Sequence, residues 1–161
     1  MKTLLAAVDF SNSTSAVLDQ ASELAKALNA KLWVVHIASD ESRAMAYEMT
    51  PFSDYSPDFV SIPGDVHLAR DLSAEELKRE HAELLGISAK LRENGIDAQA
   101  ALLKGEAAKN IVEKASDIDA DIILIGSHGH GLLHKALLGS VSEYVIRHAP
   151  CGVLVIPSPE K

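Results

Sequence analysis

Cysteine is almost missing from this sequence, and the single one, Cys151, cannot form a disulfide within the chain. We expect it to be a small buried hydrophobe next to an apolar strand, because a metal site would need other ligands. Apolar runs near the ~20 residues of a membrane-spanning helix are also absent. The short apolar N-terminus is interrupted by Asp9, and no small-residue cleavage site follows it. We therefore expect a cytoplasmic protein with no membrane partner.

An excess of basic residues is missing as well, since the formal net charge is −8 at pH 7. Domains that bind a polynucleotide backbone usually carry a basic stripe, so the charge argues against a nucleic acid partner. A mononucleotide is not excluded, because backbone N–H groups can hold a phosphate whatever the overall charge.

The familiar catalytic motifs are absent too. There is no GxxxxGK[ST] loop, no GxSxG elbow, and Gly129-x-Gly131 is followed by His134 where a dinucleotide fingerprint needs glycine. Neither a nucleophile–base pair nor paired carboxylates stand out. We therefore expect a binding protein rather than an enzyme, although slow hydrolysis of a bound nucleotide stays open.

Apolar runs and amphipathic segments alternate along the whole chain, which predicts one domain over residues 1–161. The predicted strands are 3–8, 31–37, 97–103, 122–125 and 152–156. The predicted helices are 16–28, 73–94, 107–116 and 141–148. Such alternation is typical of an α/β fold with a doubly wound, five-stranded parallel sheet and helices on both faces.

One segment breaks the alternation. Residues 38–72 contain three prolines and scattered aromatic residues, so we expect a mobile insertion that serves as a lid or a partner surface. Ser73 and Glu76 then fit a capping box, which predicts that the next helix begins there.

Residues 121–144 carry the strongest functional signal. A buried strand is followed by Gly126, Gly129 and Gly131, and the segment closes with Gly139 and Ser140. Ser140 and Glu143 fit a second capping box, with Ser140 as the N-cap of a helix. A helix start offers N–H groups and a positive dipole end, so a strand, a glycine loop and a helix start together predict an anion site, most naturally for phosphate.

The spacing Gly126-x2-Gly129-x9-Gly139-Ser140 resembles the nucleotide-binding signature of the universal stress protein family. Asp9 after the first strand, His36 near the end of the second and the terminal VLVIP are similar to that family as well. The resemblance implies a Rossmann-like sheet of order 3-2-1-4-5 and a dimeric stress-response regulator that binds ATP, ADP or AMP. Ligands of such sheets bind where the strand order reverses, which is between Asp9 and Gly126.

The resemblance also implies a set of site residues. Backbone groups of Ile37 would read the adenine, Ala7 would line the base pocket, and Asp9 would contact ribose or help hold Mg²⁺. Asp9 has an alternative role as an Asx-type cap on the turn at 11–13. The full predicted nucleotide site is Ala7, Val8, Asp9, Ile37, Gly126, Ser127, His128, Gly129, His130, Gly139, Ser140, Val141 and Ser142. The loop histidines are not expected to form a metal site of their own, so Mg²⁺ would enter with the phosphates.

The apolar last strand, residues 152–156, indicates that the chain pairs with a second copy of itself. It is apolar and ends the sheet, and exposed edges of that kind invite pairing. In the resembled family the equivalent strand pairs across a two-fold axis, so we expect a homodimer through Val153, Leu154, Val155 and Ile156. Two alternatives stay open, namely an interaction module of the same fold that binds no nucleotide, and a weak ATPase.

Overall fold

The computed structural model describes residues 1–38, 64–127 and 138–157, with backbone alone for 64–73. Most of the predicted insertion, residues 39–63, therefore lies outside the described residues. Of the remainder, Ala38 ends a strand, and residues 64–72 are helical because a long helix begins at Gly64.

Strands and helices alternate as the sequence predicts. The strands are β1 (Thr3–Val8), β2 (Lys31–Ala38), β3 (Ala98–Lys104), β4 (Ile122–Gly126) and β5 (Gly152–Ile156). The helices are α1 (Thr14–Leu28), α2 (Gly64–Glu93), α3 (Ala107–Asp117) and α4 (Ser140–His148). All neighbouring strands pair in parallel, and their order is β3-β2-β1-β4-β5. This confirms the predicted doubly wound sheet.

Helix α2 corrects one prediction. It spans Gly64–Glu93, so Ser73 lies inside the helix and is not its N-cap. Residues 64–72 include Leu68, Ala69 and Arg70, which are strong helix formers, and no proline interrupts them. Because the helix begins well before Ser73, the backbone N–H groups that follow Ser73 bond to carbonyl groups one turn earlier. They therefore need no capping side chain.

The sheet is covered on both faces, which explains why its strands are almost uniformly apolar. On one face, side chains such as Leu4, Val34 and Leu124 pack with buried residues of α1 and α2, including Val17 and Leu84. The other face forms a second core with α3 and α4. Its buried members include Leu5, Val35, Ile111, Ile123 and Val145.

Two helices are followed by residues in the left-handed conformation. Asn29 ends α1 in the left-handed conformation with φ 48°, and its N–H and that of Ala30 bond back to carbonyls of the last turn. Gly95 has φ 79° after α2, a conformation that strongly favours glycine. Among the described residues, none of the helices is both long and apolar enough to cross a membrane.

Cys151 packs at the edge of the second core and is partly exposed rather than fully buried. Burial raises the pKa of its thiol, and the carboxylate of Asp121 raises it further. A thiol of that kind is a poor nucleophile at neutral pH, which agrees with the expected packing role.

Candidate functional site

A crevice opens at the carboxyl end of the two central strands. β1 pairs with β4 from Leu4–Ile122 to Ala7–Ile125, so the ends of these two strands lie side by side. The strand order reverses there, because β2 and β3 extend the sheet on one side and β5 on the other. The chain leaves β1 for α1 on one face and leaves β4 towards α4 on the opposite face. We call this place, between Val8–Asp9 and Gly126–Ser127, the central crevice.

The first wall of the crevice is the turn from β1 to α1. Asp9 Oδ1 accepts a hydrogen bond from Ser11 N at 3.0 Å and contacts Thr14 Oγ1 at 3.5 Å. The Ser11 and Ser13 hydroxyls lie 2.8 Å apart, within hydrogen-bond distance. The cap role that the sequence allowed for Asp9 is thus present in the structure. Its contact with ribose or Mg²⁺ stays a prediction.

The same turn holds a strained residue. Phe10 has φ 57°, a left-handed conformation that is unusual for a bulky side chain and costs of order 1–3 kcal/mol. Its ring lies 4.3 Å, centroid to centroid, from the ring of His36 at the end of β2. His36 is buried, and its Nδ1 donates to the Val8 carbonyl at 2.8 Å. The conformation of Phe10 is therefore supported by contacts with the neighbouring strand.

The second wall is built from the two ends of the connection between β4 and α4. Ser127 N donates to the Ile156 carbonyl at 2.8 Å, which continues the pairing of β4 with β5. Gly139 N donates to the Ser127 carbonyl at 2.9 Å. The two ends of the connection between β4 and α4 therefore lie next to each other. The predicted contacts His128, Gly129 and His130 belong to residues 128–137, which lie outside the described residues.

The start of α4 corrects the predicted capping box. The N-cap is Gly139 rather than Ser140, and no side chain caps the helix. The first helical turn closes one residue earlier than predicted, because Glu143 N donates to the Gly139 carbonyl at 2.9 Å. The Glu143 carboxylate instead pairs with Arg147 at 2.8 Å, an i, i+4 contact on the exposed face.

A buried serine joins the helix start to the strand end. Ser142 Oγ donates to the Gly126 carbonyl at 2.7 Å, and the residue is almost completely buried. Ser142 is among the predicted nucleotide contacts, and nothing in the sequence points to this structural bond. The bond fixes where the first N–H groups of α4 stand relative to the crevice.

The structure brings together most of the predicted site. Val8, Asp9, Gly126 and Ser127 end the two central strands, and Gly139–Ser142 reach them through the bonds to Ser127 and Gly126. The side chains of Ala7 and Ile37 belong to the core that faces α3 and α4. Ile37 lies one strand away, on β2 opposite Leu103 of β3. It is near the crevice but does not border β4.

The predicted interface strand is the edge of the sheet, because β5 ends the strand order and pairs with β4 on its other side. Leu154 is 37% exposed, and Val153 and Val155 are partly exposed. Ile156 is buried in the core beneath α1 and α2 and offers little surface to a partner. Pairing of this edge with a second copy stays a prediction.

Comparison with known proteins gives a consistent family. The family model described as the universal stress protein family matches residues 1–157. A universal stress protein of Methanocaldococcus jannaschii is 32% identical over 161 residues, which covers 99% of this chain and 84% of that protein. A putative universal stress protein of Staphylococcus aureus strain USA300 is 31% identical over 163 residues, covering 99% and 86%.

Solved structures share the fold. UspA of Lactobacillus plantarum superposes with a TM-score of 0.74 at 22% identity, covering 96% of this chain and 97% of that one. A universal stress protein in complex with cAMP gives 0.63 at 21% identity and 98% coverage of both chains. An Archaeoglobus fulgidus universal stress protein in complex with dAMP gives 0.59 at 24% identity, covering 97% and 98%. The chain belongs to the universal stress protein family.

Proposed function

We propose that this protein binds an adenine nucleotide, preferentially ATP, in the central crevice and acts as a dimeric regulator rather than as an enzyme. The observation that carries the proposal is the uncapped start of α4 beside the ends of β1 and β4. The first N–H groups of a helix have no intrahelical acceptor, and here no side chain at the N-cap supplies one. An anionic ligand such as a phosphate chain suits that position.

Gly139 adds a second argument. Its φ of −65° and ψ of 153° are open to every residue, so its backbone conformation does not require glycine. Glycine is one of the favoured N-cap residues, but unlike serine, threonine, aspartate and asparagine it brings no side-chain acceptor to the first helix amides. A bare backbone at this point permits close approach of a phosphate group.

Family relatives support adenine as the base. Two universal stress proteins of this fold were solved with cAMP and with dAMP. Both ligands contain adenine and a phosphate, which the crevice would hold with the base towards Ala7 and Ile37 and the phosphates at α4. The preference for ATP over shorter nucleotides rests on the loop signature Gly126-x2-Gly129-x9-Gly139-Ser140, which resembles the ATP-binding members of the family.

Calorimetric titration of the full chain with ATP, ADP, AMP, cAMP and GTP, each with and without Mg²⁺, tests the proposal. We expect saturable binding of adenine nucleotides, with ATP tightest and GTP weaker by tenfold or more, equivalent to about 1.4 kcal/mol. Equal affinity for ATP and GTP would contradict the claim that the crevice selects adenine. The absence of binding by every nucleotide would contradict the proposal as a whole.

A second candidate function is an interaction module whose partner binding ignores nucleotides. The partly exposed apolar edge formed by Val153, Leu154 and Val155 favours it, because such an edge offers unpaired backbone groups whether or not the crevice is filled. Sedimentation with and without ATP separates the two functions. A regulator is expected to change its assembly or partner binding with nucleotide, whereas the module keeps both unchanged.

A further inference from the structure

His36 places a buried imidazole between the crevice and α2. It is 6% exposed, and its Nδ1 lies 2.8 Å from the Val8 carbonyl oxygen. A carbonyl oxygen can only accept a hydrogen bond, so Nδ1 must carry a proton. Nε2 then carries a proton only when the ring is cationic, and in the neutral ring it presents a lone pair.

The group that faces Nε2 is a carboxylate. Nε2 has no hydrogen-bond partner among the described residues, and Oε2 of Glu80 on α2 lies 3.6 Å from it. Two lone pairs cannot bond each other, whereas a proton on Nε2 would create a charge-assisted pair with Glu80. The Glu80 side chain is 20% exposed, so water screens this pair less than it would screen a surface pair.

The neighbouring elements in the described part of the chain bring no second carboxylate within ion-pair distance of Nε2. After β1, Asp9 is bonded to Ser11 N. On β3, His36 lies opposite the apolar Leu102, and the first turn of α1 contains no acidic residue. On α2, Glu76 pairs with Arg79 at 3.7 Å. Glu80 is thus the carboxylate that comes within ion-pair distance of Nε2 in the described structure.

The imidazole also holds the first wall of the crevice. Its Nδ1 fixes the carbonyl of Val8, the residue before Asp9, and its ring packs on Phe10 in the strained turn. A change in the contact between His36 and Glu80 of α2 therefore affects the residues that border the crevice.

We propose that His36 is a positioning residue of the central crevice, and that a proton on its Nε2 fastens α2 to the β1–α1 turn through Glu80. Loss of that proton leaves a lone pair facing a carboxylate and loosens the attachment of α2. Acidification would therefore tighten the attachment of α2 to the crevice wall. We call the pair formed by protonated His36 and the Glu80 carboxylate the proton clasp. It forms whether or not a nucleotide is bound.

The first test is thermal melting of the full chain without nucleotide, comparing the wild type with Glu80→Gln between about pH 8 and about pH 6, where histidines change charge. The glutamine amide can donate to an unprotonated Nε2 but cannot form an ion pair with a protonated one. We expect the variant to melt at the same or a higher temperature at the upper pH, and about 2–4 °C lower at the lower pH. A difference that keeps one sign and size throughout would overturn the proposal.

Two controls isolate His36. Glu83→Gln removes the same charge from an exposed position of α2 and should show no reversal of sign. His36→Asn keeps a donor for the Val8 carbonyl but has no titrating nitrogen, so Glu80→Gln made in that background should lose its pH dependence. Persistence of the pH dependence there would assign it to another group. Nitrogen-resolved NMR of the neutral ring should show the Nδ1–H tautomer, and the Nε2–H tautomer would contradict the proposal.

The second test rests on the proposed function. If the crevice binds adenine nucleotide, Glu80→Gln should weaken ATP binding relative to the wild type by several-fold at about pH 6 and little at about pH 8. Equal affinities at both pH values would remove the link between the proton clasp and the crevice. A protein that shows the melting reversal but binds no adenine nucleotide would retain the clasp and lose the proposed function.

Discussion

The two connections that border the central crevice are built in opposite ways. The β1–α1 turn is held by side chains, with Asp9 accepting from Ser11 N and the Ser11 and Ser13 hydroxyls in contact. The ends of the β4–α4 connection are held mainly by backbone groups, with Gly139 N donating to the Ser127 carbonyl. The first wall thus takes its shape mainly from side-chain hydrogen bonds, whereas the second takes it mainly from backbone bonds, with Ser142 adding a side-chain bond to Gly126.

This difference separates structural from ligand-binding explanations for the residues. A side chain that builds a turn can be required for folding alone, as Asp9 can. Gly139 builds nothing with a side chain and has a conformation open to all residues. Gly139 is buried and stands at an N-cap, where glycine is one of the favoured residues, so the fold accommodates it without a side chain. The proposed function adds a ligand that approaches the same backbone.

The largest expected effect comes from Gly139→Val. A branched side chain at the start of α4 would stand where a phosphate approaches, so we expect ATP affinity to fall on the order of 100-fold, about 2.8 kcal/mol. Gly86→Val, at an exposed position of α2 where a Cβ meets nothing within 4 Å, controls for the change from glycine to valine. Because Gly139 is buried, thermal melting of both variants without nucleotide separates a loss of binding from a loss of folding. Calorimetry on both variants measures the effect. A Gly139→Val protein that binds ATP as the wild type does would place the phosphates elsewhere.

The next largest effect concerns Ser142, whose side chain supports the second wall. Ser142→Ala removes the hydrogen bond from the buried Ser142 hydroxyl to the Gly126 carbonyl, which should lower the free energy of unfolding by about 1–3 kcal/mol. Denaturant unfolding measures this loss.

Ser140→Ala is the control on the same helix. Because Gly139 is the N-cap and Ser140 is exposed, we expect a change within about 0.5 kcal/mol. A loss of about 1 kcal/mol or more in this control would restore the capping box that the structure excludes.

Substitutions of Asp9, in the first wall of the crevice, should have a smaller effect on nucleotide affinity. Asp9→Asn keeps an oxygen that can accept from Ser11 N, so the melting temperature of the nucleotide-free protein should not change. Loss of the charge should weaken Mg-ATP binding by about tenfold, or about 1.4 kcal/mol. Asp9→Ala should also destabilise the free protein by about 1 kcal/mol, because the turn bond is lost. Unchanged affinity in Asp9→Asn would leave Asp9 as a turn residue alone.

The smallest expected effect is on stability and concerns Asp121, which precedes β4 at the end opposite to the crevice. The hydrogen bond from the Lys2 ammonium and that from Thr3 N hold the pKa of Asp121 below its usual value. A lowered pKa in the folded state stabilises the protein above the unfolded value of about 3.9, and this contribution is lost as the pH falls through the folded pKa. Asp121→Asn should therefore be less stable than the wild type at neutral pH.

Acid titration of unfolding would check this, with the difference between Asp121→Asn and the wild type shrinking below about pH 4. Lys2 is 61% exposed, so water screens the pair and the effect should be modest. ATP affinity should be unchanged, since Asp121 is at the amino end of the sheet. A difference in stability that grows as the pH falls would contradict a lowered pKa for Asp121.

The elements could be read from the sequence because short apolar runs and amphipathic segments have different periods. The strand order came from the family resemblance, since periodicity alone does not order strands. The start of α2 was missed because the capping signal at Ser73 is local, while the preceding residues also favour helix. The contact of His36 with Glu80 could not be predicted, since it joins a strand to a helix that the intervening residues place in space.

The most direct test of nucleotide binding in the central crevice is native mass spectrometry of the purified full chain, before and after addition of Mg-ATP. We predict twice the chain mass with one or two adenine nucleotides, and a loss of nucleotide in Gly139→Val while Gly86→Val retains it. A chain that carries no nucleotide and acquires none with Mg-ATP would contradict the proposed function, and the uncapped start of α4 would then be only a helix start.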